Sequence, residues 1–93
     1  MPYLFEWDPA KAAENVRKHG VSFDEATEAF GDALSLNMPD PRHVRREERF
    51  LVLGLSRSGR LLVVSYAERG ARTRLISARL ASRSERQRYE ETS

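Results

Sequence analysis

At 93 residues and without a cysteine, the chain has room for one hydrophobic core and none for a disulfide or a thiolate metal site. Its longest strongly apolar runs, Phe50–Leu53 and Leu61–Val64, are far too short to span a bilayer, and Glu6 and Asp8 interrupt any signal-peptide pattern. Charge is divided along the chain, with eight acids against three bases in residues 1–41, and thirteen arginines, no lysine and six acids in residues 42–93. One soluble cytoplasmic domain over residues 1–93 is expected, with no membrane association. A surface built from arginine presents planar forks that match phosphate oxygens, so it points to a polyanionic partner, RNA or DNA. A GC-rich genome also spells basic residues as arginine, but that accounts less well for the segregation of sign.

Tyr3 to Trp7 reads as a short strand. Asp8 can then cap a helix opening at Pro9, where the missing N–H costs nothing, and Gly20 stops it behind Arg17, Lys18 and His19, which suit the negative end of the helix dipole. Ser22-Phe23-Asp24-Glu25 has the form of a reciprocal capping box for a second helix. That helix buries Phe23, Ala26, Thr27 and Phe30, and Gly31 is expected to end it in a left-handed turn. Leu34, Leu36 and Met38 alternate as a strand until Pro39-Asp40-Pro41, and a polar stretch follows from Arg42 to Glu48. Arg49–Ser56, Leu61–Ala67 and Ala71–Ala78 read as three strands joined by short turns at Ser58-Gly59 and Arg69-Gly70, which demand antiparallel neighbours. Ser82-Arg83-Ser84-Glu85 is a second capping box, opening a terminal helix with Arg86, Arg88 and Tyr89. The order β-α-α-β-β-β-β-α predicts an α+β fold, an antiparallel sheet with helices against one face.

The chemistry-bearing residues are few. Asp8, Asp24, Glu25 and Glu85 fall at helix starts and have structural work there, whereas Glu68 lies beside a turn with no local partner. Two histidines far apart and no cysteine give nothing with metal-ligand spacing, so no metal and no cofactor are expected. No Gly-rich phosphate loop or serine nucleophile elbow is present. In the last strand, simple alternation places Arg72 and Arg74 on one face and Leu75, Ser77 and Arg79 on the other. Arg69, Arg72 and Arg74 are candidate RNA-binding residues, although any one of them also suits a solvated edge. Tyr66 is a candidate stacking or proton-donating residue, and Phe5 and Trp7 are expected in the core.

Phe5-Glu6-Trp7-Asp8, Lys11, Asn15, Lys18-His19-Gly20-Val21-Ser22-Phe23, Ile76-Ser77-Ala78-Arg79 and Glu85-Arg86 with Tyr89 together resemble the BrnT family of bacterial toxins, in order and spacing over nearly the whole chain. One departure is Arg74-Leu75-Ile76, where the family's strand is often richer in β-branched residues. Asp40, His43 and Glu48 fall in the family's general style, in a loop of variable sequence. The resemblance implies a RelE-like ribonuclease fold and a toxin that inhibits translation by cutting RNA. It also implies neutralisation by a BrnA-type antitoxin with a ribbon-helix-helix domain, operator DNA being met only through that antitoxin. Lys18, His19 and Arg79 are the site residues it supports most firmly.

RNA cleavage can use the substrate's own 2′-hydroxyl as nucleophile, so the enzyme need only orient it, stabilise an anionic phosphorane and protonate the leaving 5′-oxygen. Arg79 and Arg74 suit the phosphate, because a guanidinium stays charged, and for the same reason neither suits the base. His19 and Glu68 are the candidate bases, with Lys18 or Tyr66 supplying a proton or a hydrogen bond. The competing reading is a non-catalytic, arginine-rich module that grips RNA or an acidic partner protein.

Overall fold

A computed structural model describes residues 3–41 and 47–92. The elements run β1 (Leu4–Glu6), α1 (Pro9–His19), α2 (Phe23–Ala29), β2 (Leu36–Pro39), β3 (Arg49–Leu55), β4 (Leu61–Arg69), β5 (Arg72–Leu80) and α3 (Arg83–Thr92). His43, with Arg42 and the rest of that stretch to Arg46, lies outside the described residues.

The first helix is bounded as its sequence predicts. The Ala10 N–H donates to the Asp8 carboxylate at 2.9 Å, and Gly20, at φ 69°, donates its N–H to Val16 O. In α2 only half of the expected box forms. Ser22 Oγ accepts from the Glu25 N–H at 3.0 Å, but the Glu25 carboxylate turns away to Arg60, Ser56 and Ser58. Gly31 does not supply a left-handed stop either. Phe30 and Gly31 donate three residues back, to Thr27 O and Glu28 O, so a tightened last turn ends the helix and the positive-φ glycines are Gly20, Gly59 and Gly70.

The five strands form one sheet in the order β1-β5-β4-β3-β2. Strands β2 to β5 are an antiparallel meander, as the short turns require, while β1 joins the far edge parallel to β5 and makes the sheet mixed. Helices α1 and α2 cover one face, where Val21, Phe23, Ala26 and Phe30 pack on Val52, Val64, Tyr66 and Leu75. Phe5 and Trp7 pack against this core, as expected. At Gly54 a Cβ would stand 2.5 Å from the Ala29 carbonyl oxygen, so glycine is what lets α2 lie this close to β3. The helices are not all on one side: α3 packs on the opposite face, where Tyr89 meets Leu53, Leu61 and Val63. Tyr89 also donates its hydroxyl to Asp32, which accepts the N–H groups of Leu34 and Leu55 and so pins α3 to the loop before β2.

Candidate RNA-binding face and cleft

A bulge in β5 decides which side chains share the face that α3 only partly covers. Tyr66 pairs with Leu75, and its neighbour Ser65 pairs with Ser77, so Ile76 is an extra residue. The inserted residue resets the alternation, and Ser77 and Arg79 lie on the same face as Arg72 and Arg74, not with Leu75. Leu75 and Ala78 both point into the core under α1 and α2. This corrects the simple alternation read from the sequence and brings the arginines of β5 together.

Successive cross-strand rows on this face, about 7 Å apart, can be read from the register. Arg72 stands opposite Arg69, and Glu6, Arg74, Ala67 and Arg49 form the next row. Ser77 then stands beside Ser65, and Arg79 beside Val63. The arginines are held by carboxylates without being neutralised as a set. Arg74 donates to Glu6 at 3.2 Å, Arg72 lies 4.0 Å from the same carboxylate, and Arg69 is paired with Glu47 at 2.8 Å. Arg49 went unrecognised in the sequence because it begins a strand like any polar flank. Its buried Nε has no hydrogen-bond partner among the described residues, and the small Ala67 separates it from Arg74.

Arg79 leaves the far end of β5 and makes a two-pronged ion pair with Glu85 at 2.8 and 2.9 Å. That pairing raises the Arg79 pKa further above the arginine range and holds the Glu85 carboxyl at about 2. Asp40, almost fully buried, accepts from Ser65 Oγ at 2.9 Å and adds a second negative charge near Arg79.

Lys18 and His19 lie elsewhere, at the end of α1, and line an open cleft with Lys11, Asn15, Ile76 and Ser77. Lys18 is 3.6 Å from Glu14, and both Lys18 and His19 are exposed. Ser77 belongs both to this cleft and to the arginine face, so the two meet along the outer edge of β5. Glu68 stands apart from both. It pairs with Thr73 on the α1/α2 face, five residues along β4 from the partner of Arg79, roughly 17 Å. Tyr66 is not a stacking platform: it is 7% exposed, with its ring between Phe30 and Phe50 at 5.0 and 5.7 Å. Its hydroxyl donates to Asn37 at 2.6 Å, and burial pushes its pKa up to about 12, so it keeps its proton near neutrality and does not suit the base. Among the described residues no three histidine or carboxylate side chains converge in a way that could hold a metal ion. No helix there is long and apolar enough to cross a membrane.

The fold and this open face define a small basic α+β domain shaped to meet an anionic ligand. A family model described as "Ribonuclease toxin, BrnT, of type II toxin-antitoxin system" matches residues 7–85, and the chain belongs to that family. Its fold is similar to that of the Brucella abortus ribonuclease toxin BrnT, seen in a crystal structure, with a TM-score of 0.64 and 21% identity over 88% of this chain and 100% of that one. No curated protein matches the chain.

Proposed function

We propose that this toxin is a metal-independent endoribonuclease that inhibits translation in the cytoplasm. Its neutralising partner is a BrnA-type antitoxin whose ribbon-helix-helix domain makes the operator contacts of the complex. The observation that carries the reading is the bulge at Ile76, which sets Arg72, Arg74 and Arg79 on one open face that adjoins the Lys18 and His19 cleft at Ser77. A single RNA strand laid along β5 meets guanidinium groups along its phosphates and an imidazole at its flank. Arg79 grips the scissile phosphate, and Arg74, Arg72, Arg69 and Arg49 hold the strand beyond it. His19 is the base that takes the 2′-hydroxyl proton, and Lys18 gives a proton to the 5′-oxygen as its bond to phosphorus breaks and the cyclic phosphate closes. Glu68, on the other face, has no part in this arrangement.

Purified protein is expected to cut RNA in EDTA and to leave 2′,3′-cyclic phosphate ends. Arg79→Ala is expected to fold, to lose about a hundredfold or more in cleavage rate, and to abolish growth arrest on induced expression. Cleavage that disappears with the chelator, or an Arg79→Ala protein as toxic as wild type, contradicts the reading.

A further inference from the structure

Arg79 has five N–H groups, and the protein uses three of them. Both Nη atoms donate to the Glu85 carboxylate, and the second proton of Nη1 goes to Leu80 O at 3.3 Å. Two donors remain, Nε–H and the outer proton of Nη2, and they lie parallel along one edge of the guanidinium. No acceptor takes either among the described residues, and the side chain is 39% exposed. That edge is a fork of the spacing that two oxygens of one phosphate require. Its direction is fixed by the carboxylate holding the adjacent Nη1–Nη2 edge.

Glu85 is itself held. Its Oε1 accepts the Ser82 N–H at 2.7 Å while its own N–H donates to Ser82 Oγ at 3.2 Å, closing the reciprocal cap of α3. The arginine is therefore referenced to the start of α3 as well as to β5. A plain cap needs only one carboxylate oxygen. The second oxygen of Glu85, and the second lobe of the first, face Arg79.

On the reading of Arg79 as the phosphate ligand, we infer that Glu85 is a positioning residue for cleavage: it aims the free edge of Arg79 at the scissile phosphodiester. This assignment has a signature that a purely structural ion pair lacks. Glu85 opposes phosphate binding by its charge and promotes the reaction by its geometry, so removing the charge moves affinity and turnover in opposite directions. The carboxyl stays ionised down to about pH 2, so the effect belongs to the whole neutral range.

The test measures single-turnover cleavage and equilibrium binding of one labelled RNA oligonucleotide by the full chain and its variants, with melting curves alongside. Glu85→Gln is expected to bind RNA up to about fivefold more tightly and to cleave it about ten- to a hundredfold more slowly. Glu85→Asp keeps the charge but shortens the reach, so its affinity returns to that of wild type while cleavage stays slow. Ser82→Ala weakens the same helix cap without touching the fork, and is expected to melt earlier yet cleave within about twofold of wild type. Should Glu85→Gln fail to fold at the assay temperature, Glu85→Asp and Ser82→Ala give the same separation. Wild-type cleavage with unchanged turnover in the folded Glu85 variants overturns the positioning role alone, as does an equal loss in Ser82→Ala. A wild-type protein that leaves RNA intact overturns the ribonuclease reading and the role of Glu85 with it.

Discussion

Among the described residues no strand lies beside the outer edge of β5 beyond Arg74, because β1 pairs only with Arg72 to Arg74, and the carboxamide of Asn15 takes a strand's place. Its Oδ1 accepts the Ala78 N–H at 3.1 Å, and its Nδ2 donates to Ala78 O and to Val21 O, both at 2.8 Å. Asn15 is buried, so each of these groups loses water on folding and must find its partner in the protein. The family motif that includes Asn15 therefore contains at least one residue whose work is to finish a sheet edge and to fix α1, with its Lys18 and His19, against β5. Asn15→Ala is expected to cost about 2–4 kcal/mol in urea unfolding at neutral pH. Asn15→Asp costs more, because it keeps the shape and the Ala78 N–H bond but sets a buried carboxylate against two carbonyl oxygens. Its deficit shrinks on acidification as the carboxyl protonates. An Asn15→Asp protein as stable as wild type at neutral pH would show that shape alone, and not the two donated bonds, is what Asn15 supplies.

Between elements, the turn from β3 to β4 is tied to the start of α2 by one carboxylate. Glu25 takes the Arg60 guanidinium and the hydroxyls of Ser56 and Ser58, and Arg60 also donates to Gly20 O, closing the end of α1 into the same cluster. The Arg60 bond, ahead of the serine bonds, lowers the Glu25 pKa to about 2 from an ordinary 4.5, against the opposing effect of burial. A depressed carboxyl stabilises the fold above its unfolded pKa, and that contribution is lost as pH falls from about 4.5 towards 2. Glu25→Gln is accordingly expected to be less stable than wild type at neutral pH, with the gap narrowing through that window in melts taken at stepped pH. A constant gap contradicts the linkage. The capping motif predicts Glu25 only as a cap, because Arg60 is thirty-five residues away and contact across the turn leaves no local pattern. The elements themselves were legible, since apolar period, proline at the first helical turn and glycine at the hairpins are local signals. The bulge was not. An inserted residue in β5 is visible only against the register of β4, and that one residue decides whether Arg79 joins Arg72 and Arg74 or the core. The combined family motifs single out Lys18, His19 and Arg79 only as candidates, and their distribution between a cleft and a face has no local signal, because it depends on where α1 docks.

At the scale of the whole molecule, arginines of the later strands gather on one side of the sheet. On the other side α2 carries Asp24, Glu25 and Glu28, while α1 beside it is basic, with Lys11, Arg17 and Lys18 against Glu14. The formal charge of +2 therefore understates the field over the open face. On that face five arginines, Arg49, Arg69, Arg72, Arg74 and Arg79, outnumber the four acids Glu6, Asp40, Glu47 and Glu85, so the face keeps a net positive charge. Each phosphate neutralised on a single strand releases counterions, giving a slope of about −0.7 in log affinity against log salt. Three phosphates along the rows from Arg79 to Arg72 give a slope of about −2 by the same relation. Arg74→Gln is expected to weaken RNA binding at low salt and to flatten the slope by about one phosphate's share, roughly 0.7. Arg17→Gln serves as the control: it makes the same change of charge on α1, where Arg17 pairs with Glu14, and is expected to leave the slope unaltered. If the two variants flatten the slope equally, RNA responds to net charge alone and the sheet face has no special claim to it. If only Arg74→Gln does so, the phosphates lie along β5, where the bulge places its arginines.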